Sequence, residues 1–217
     1  MLCSRRGITD AVFRRLSRAY LAKTTPADRL YGAGDSAASA VRLREVLGEL
    51  RVVNERTRTL ICGFLVRGQI AVREYRDGRD RLQTFVTALP QHNELQAFSR
   101  SLSHFETCLI QTTVAVQLLH KAFRVAVPGW TAGAATTYQL VRRMNNRVKH
   151  FDEDVANDQS PPVAPLWVTN EGLECNERGT ELKLPFSDLA DLLLGLSHVA
   201  KRFGEGKYGP NSLASEN

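Results

Sequence analysis

The chain lacks any apolar run long enough to cross a bilayer. Its longest, such as Val125 to Val127 or Leu192 to Leu194, fall far short of the roughly 20 residues a helical span needs. A membrane-spanning helix is therefore not expected. Cysteine pairs are missing too: Cys3, Cys62, Cys108 and Cys175 lie far apart, with no CxxC and no zinc-ligand spacing. A disulfide framework is excluded on that pattern, and a reducing, cytoplasmic setting is the expectation. No G-x-S-x-G is present, which removes the strained serine turn of the α/β hydrolases. Gly32 and Gly34 precede a helical pattern but follow no strand, so they do not form a dinucleotide loop. No cofactor is expected. The first residues lack the apolar core of a secretory signal and read instead as a helix, with Thr9 as cap and Val12, Leu16, Ala19 and Tyr20 on one face.

Acidic residues are outnumbered. Lysine and arginine total 29 against 23 for aspartate and glutamate, giving a net charge of +6 in 217 residues. That excess favours polyanionic partners, and arginine's planar fork suits phosphate oxygens in particular.

What is present is helical periodicity. After a loop through Thr24-Thr25-Pro26 and residues 31–36, Ser36 is placed to cap a long helix with Val46, Leu50, Val53, Leu60, Phe64, Val72 and Tyr75 on its apolar face. Gly78 is expected to bend or break it. Leu82, Phe85, Val86 and Leu89 continue an apolar stripe to Pro90. From Leu95 through Phe98, Leu102, Phe105, Leu109, Thr112, Val116 and Leu119 to Phe123, apolar or small positions alternate steps of three and four without a miss. This heptad seam, widened by Ile110, Val114 and Leu118, predicts a buried bundle helix ending before Pro128-Gly129. His104 and His120 flank the seam and read as core-edge histidines. A further helix is predicted from about Ala134 to Val155, with Leu140, Met144, Val148, Phe151 and Val155 facing inward. Short alternating segments around Trp167, Leu173 to Cys175 and Glu181 to Leu184 predict a hairpin or meander. Ser187 then caps a last helix carrying Leu189, Leu192, Leu196, Val199 and Phe203.

The chain is thus predicted to be one mainly α domain over residues 1–204. It is an antiparallel helical bundle with a small β-hairpin at about 165–184, before a final helix at about 187–203. The polar tail 205–217 is expected to be disordered.

One polar stretch, Arg142 to Asp154, has the composition of a working site. On a continuous helix Arg143, Arg147, His150 and Asp154 share an arc of roughly 60° beside the apolar face. Such an edge could hold a phosphate while His150 moves protons and an arginine stabilises the phosphorane. A second reading treats the face as solvated ion pairs. A metal reading of His150, Asp152 and Asp154 lacks the rest of a coordination shell, so no metal is expected there.

The run Asn145-Asn146-Arg147-Val148-Lys149-His150-Phe151-Asp152-Glu153 resembles the Arg-Asn-x-x-Lys-His-Phe-Asp-Glu phrase of HEPN-like proteins. The segment Pro165-Leu166-Trp167 with Glu171-Gly172-Leu173 is similar as well, and the likeness spans roughly the last 80 residues. Where the phrase has arginine this chain has Asn145, and Arg143 stands two residues earlier. The resemblance implies a helical, often dimeric domain that acts on RNA as a metal-independent endoribonuclease, or a degenerate relative, in a toxin–antitoxin type pair. Arg143 and His150 would be the catalytic residues, with Asn145, Asn146, Arg147 and Asp154 contributing to binding. A different class stays open: a non-catalytic helical protein whose long helices dimerise or bind a helical protein partner.

Overall fold

The structure is a computed structural model, and it describes residues 54–87, 94–123, 136–157, 165–169, 171–177 and 179–204. The expected helix after Thr9, the loop to Ser36, the Pro128-Gly129 stop and the tail from Glu205 lie outside these residues.

Among the described residues are five helices and three strands. They are α1 (Glu55–Thr87), α2 (Glu94–Phe123), α3 (Thr137–Lys149), α4 (Phe151–Asn157), β1 (Trp167–Val168), β2 (Gly172–Glu177), β3 (Thr180–Pro185) and α5 (Phe186–Gly204). The protein is mainly α, with a small antiparallel sheet before the last helix.

α1 has its own start. Asn54 Oδ1 accepts from the Thr57 N–H at 2.9 Å and the Asn54 carbonyl accepts from Arg58 N–H at 3.0 Å, which satisfies orphan donors of the first turn. The expected helix from Ser36 therefore does not run unbroken through Asn54, which is a cap and not an interior residue, and its stretch 36–53 lies outside the described residues. The expected break at Gly78 is corrected as well, because α1 continues through it to Thr87. Gly78 is a contact residue. A Cβ there would come within 3.1 Å of the Phe105 ring, and the Gly78 carbonyl accepts from Ser101 Oγ at 2.8 Å. Close packing against α2 offsets glycine's poor helix propensity of about 1 kcal/mol.

α2 is the helix the seam predicts. Phe105, Leu109, Thr112, Val116 and Leu119 are completely buried and Phe98 nearly so, while Leu102 and Phe123 pack at the edge of the core. α1 and α2 run antiparallel along their full lengths. Gly63 meets Leu118, Arg67 reaches Gln111, Glu74 meets His104, Gly78 meets Ser101, and Phe85 meets Phe98.

α5 lies across this pair. At one end Phe203 stacks on Phe123 at 5.5 Å and meets the edge of Phe64 at 6.0 Å. At the other, Phe186 packs on Phe105 at 5.3 Å and Tyr75 at 6.3 Å, while Tyr75 Oη donates to the Phe186 carbonyl at 3.2 Å. α5 is therefore antiparallel to α1. Aromatic residues at both ends fix its direction, each ring burying a large apolar surface.

The strands pair antiparallel in the order β1-β2-β3, with Leu173 opposite Leu184 and Cys175 opposite Leu182. These four side chains are buried and their neighbours Lys183 and Glu181 are exposed, as period-two alternation requires. The buried face packs on α3 and α5. Gly172 has no room for a side chain, since a Cβ would fall 2.0 Å from the Leu184 carbonyl oxygen. α5 opens at Phe186, one residue before the expected cap. Phe186 N–H donates to the Glu171 carbonyl at 2.8 Å, and Ser187 sits inside the first turn, donating to Asp188.

Candidate nucleic-acid interface

Thr136 caps α3 by accepting from the Gln139 N–H at 3.2 Å. Tyr138, Val141, Met144 and Asn145 are buried, with Leu140 and Val148 packed beside them. The buried face is therefore turned by roughly 50° from one centred on Met144, Val148, Phe151 and Val155. The helix is also shorter than the expected span to Val155. It ends at Lys149, and His150 is its C-cap at φ −105° and ψ 17°, donating its N–H to the Asn146 carbonyl at 3.0 Å. α4 begins at the next residue. This break gives the acidic run a physical reason. On one continuous helix Asp152, Glu153 and Asp154 would crowd a C-terminus, against the macrodipole. Here they occupy the first turn of a new helix, where negative charge is favourable, and Arg147 and Lys149 close the last turn of α3.

The six residues singled out from the sequence are dispersed by this geometry. Arg143 is half-buried and turned to the sheet, where its Nε donates to Glu177 Oε2 at 2.9 Å and its Nη2 to the same oxygen. His150 is exposed, with Nδ1 3.2 Å from Glu153 Oε2. Among the described residues no hydrogen bond or ion pair joins Arg143 to His150. Asn145 is 1% exposed, and neither its Oδ1 nor its Nδ2 has a hydrogen-bond partner among the described residues. Asn146 is exposed. Arg147 is half-buried near the Cys175 thiol, which burial pushes up to about 11 against the opposing pull of that guanidinium. Asp154 lies in α4, and its side chain is outside the described part.

The exposed face of α3 is made by other residues. Arg142, Asn146, Lys149 and His150 are all exposed, at spacings i, i+4, i+7 and i+8, which place them within an arc of about 100°. With the apolar face centred on Met144, Val148, Phe151 and Val155, the residues at its edge are Arg143 and Arg147 rather than Arg142 and Lys149, both of which the observed face leaves exposed. The same heptad spacing, read from the exposed side, is the signal that finds them. This stripe combines a guanidinium, an ammonium, an amide and an imidazole, donors that suit phosphate oxygens and base edges.

No family model, curated protein or solved structure matches this chain. The HEPN resemblance thus rests on the residues quoted for it.

Proposed function

We propose that this chain is an RNA-binding helical domain of HEPN type that holds RNA on the exposed face of α3 and does not cut it. The observation that carries this is the Arg142, Asn146, Lys149 and His150 stripe, exposed along one helix of a chain whose net charge is +6. Phosphate contacts from such a stripe supply affinity and position the strand, while Asn146 and His150 can reach unstacked bases.

Cleavage would need a cation beside the scissile phosphate and a base within reach of the 2′-hydroxyl. Arg143, the cation the resemblance implies, shares its charge with the Glu177 carboxylate. His150 sits past the end of α3 with Glu153 as its neighbour. Asn145, at the family's arginine position, is buried. These three placements support a binding role without chemistry.

The test is a titration of labelled single-stranded RNA at low salt, followed by gel analysis of the same samples. Wild type should bind and leave the RNA intact. Arg142→Glu combined with Lys149→Glu should lower affinity at least about tenfold, because two phosphate contacts become repulsions. Equal binding by the double variant, or none by wild type, defeats the proposal. Cleavage that His150→Ala abolishes would instead make the domain an active ribonuclease.

A further inference from the structure

Outside α3, metal-ligating groups converge at one place between the two longest helices. Glu74 and Asp77 are three residues apart on α1 and share a face. His104 on α2 is brought opposite them by the antiparallel pairing. One ligand atom from each of the three lies within 4.8 Å of the others, and all three residues are half-buried.

Their partners are unequal. Glu74 Oε2 is 2.7 Å from His104 Nδ1, and Glu74 Oε1 accepts from Arg73 Nη2 at 2.8 Å. Asp77 has no hydrogen-bond or ion-pair partner among the described residues. The His104–Glu74 bridge thus leaves a second carboxylate beside it with no bonded partner among the described residues.

We infer that Glu74, Asp77 and His104 bind one divalent transition-metal ion of the zinc class. The donor set is one imidazole nitrogen and two carboxylate oxygens. Imidazole directs the site away from magnesium and calcium, which prefer oxygen alone, and toward zinc and its neighbours. Two carboxylates and a neutral imidazole around a doubly charged ion sum to zero charge, which suits a half-buried position. Around a tetrahedral ion with bonds of about 2.1 Å, ligand atoms sit about 3.4 Å apart, so small rotamer changes close the cluster. Three protein ligands leave a fourth position for water. The ion would tie α1 to α2 midway along their length and give Asp77 a bonded partner.

The experiment uses full-length, untagged protein stripped with chelator and titrated with ZnCl2 in a calorimeter, with Co2+ absorption as a second probe. One ion should bind per chain, and the melting temperature should rise with free metal. Asp77→Asn removes a like charge, so its metal-free form should melt at or above the wild-type temperature. It should nonetheless lose the metal-induced rise and bind at least about tenfold more weakly. His104→Gln should lose the cobalt absorption bands. If His104→Gln fails to fold, Asp77→Asn alone decides. No saturable binding by wild type at about 100 µM free Zn2+ overturns the inference. So does unchanged affinity in Asp77→Asn, which would place the ion elsewhere, on the cysteines for example.

Discussion

Arg143 on α3 and Glu177 on β2 are 34 residues apart in sequence, yet the arginine Nε lies 2.9 Å from the carboxylate, which ties helix to sheet. The pair is part-exposed, at 38% and 28% of the side chains, so solvent screens it and its net contribution to stability should be about 0–1 kcal/mol. We expect Glu177→Gln to change the denaturant midpoint little. The same substitution removes a negative charge and frees a guanidinium near the proposed RNA face, so RNA affinity should rise. A fall in affinity would show that the pair orders the face rather than neutralising it.

Gly68 and Gly78 lie in the same helix and should respond oppositely to alanine. At Gly68 a Cβ meets nothing within 4 Å, so Gly68→Ala should stabilise by about 0.5–1 kcal/mol through helix propensity. At Gly78 the Cβ would press on Phe105 at 3.1 Å, and crowding of about 1–3 kcal/mol should exceed that gain. Combining Gly78→Ala with Phe105→Leu should relieve the crowding. Urea denaturation of the four proteins checks the sign at each position.

Asn145 buries an amide with no hydrogen-bond partner among the described residues. Leaving such a group unsatisfied costs about 1–3 kcal/mol, so Asn145→Leu, close in size and apolar, should be neutral or stabilising. Asn145→Arg, which restores the HEPN phrase, would place a guanidinium where the native side chain is 1% exposed. We expect it to destabilise by about 3 kcal/mol or more and to give no ribonuclease activity. Calorimetry and an RNA cleavage assay on both variants separate these outcomes.

Burial at the edge of α2, beside Tyr138 at 6.3 Å, lowers the pKa of His120 below 6.5. The unfolded chain therefore binds a proton there more readily than the folded one. Stability from this residue is fully present above about pH 6.5 and is lost as pH falls through the depressed folded value. His120→Phe should flatten the decline in stability between pH 7 and pH 5. An unchanged pH profile would mean that other groups carry the decline.

The seam from Leu95 to Phe123 could be read from sequence because nine positions repeat a local rule that burial then enforces. Strand alternation around Leu173, Cys175, Leu182 and Leu184 was legible for the same reason. Gly78 was not, since a glycine that breaks a helix and one that admits a neighbour look identical until Phe105 is placed opposite. The turn at His150 was hidden by apolar spacing that runs on through Phe151 to Val155, although the acids after it were a clue. The exposed face of α3 was half visible: its stretch was singled out, but a rotation of roughly 50° exchanged Arg142 and Lys149 for Arg143 and Arg147. Glu74, Asp77 and His104 carried no local signal, because their meeting depends on the register of two long helices.

The salt dependence of RNA binding tests the central claim most directly. Affinity should be measured for wild type and for the Arg142→Glu, Lys149→Glu double variant across a series of salt concentrations. Each phosphate contact to a single strand contributes about 0.7 to the slope of log affinity against log salt. Losing two contacts should therefore make the variant's slope shallower by about 1.4, with the fold unchanged by circular dichroism. Identical slopes and affinities for the two proteins would contradict an RNA-binding face on α3.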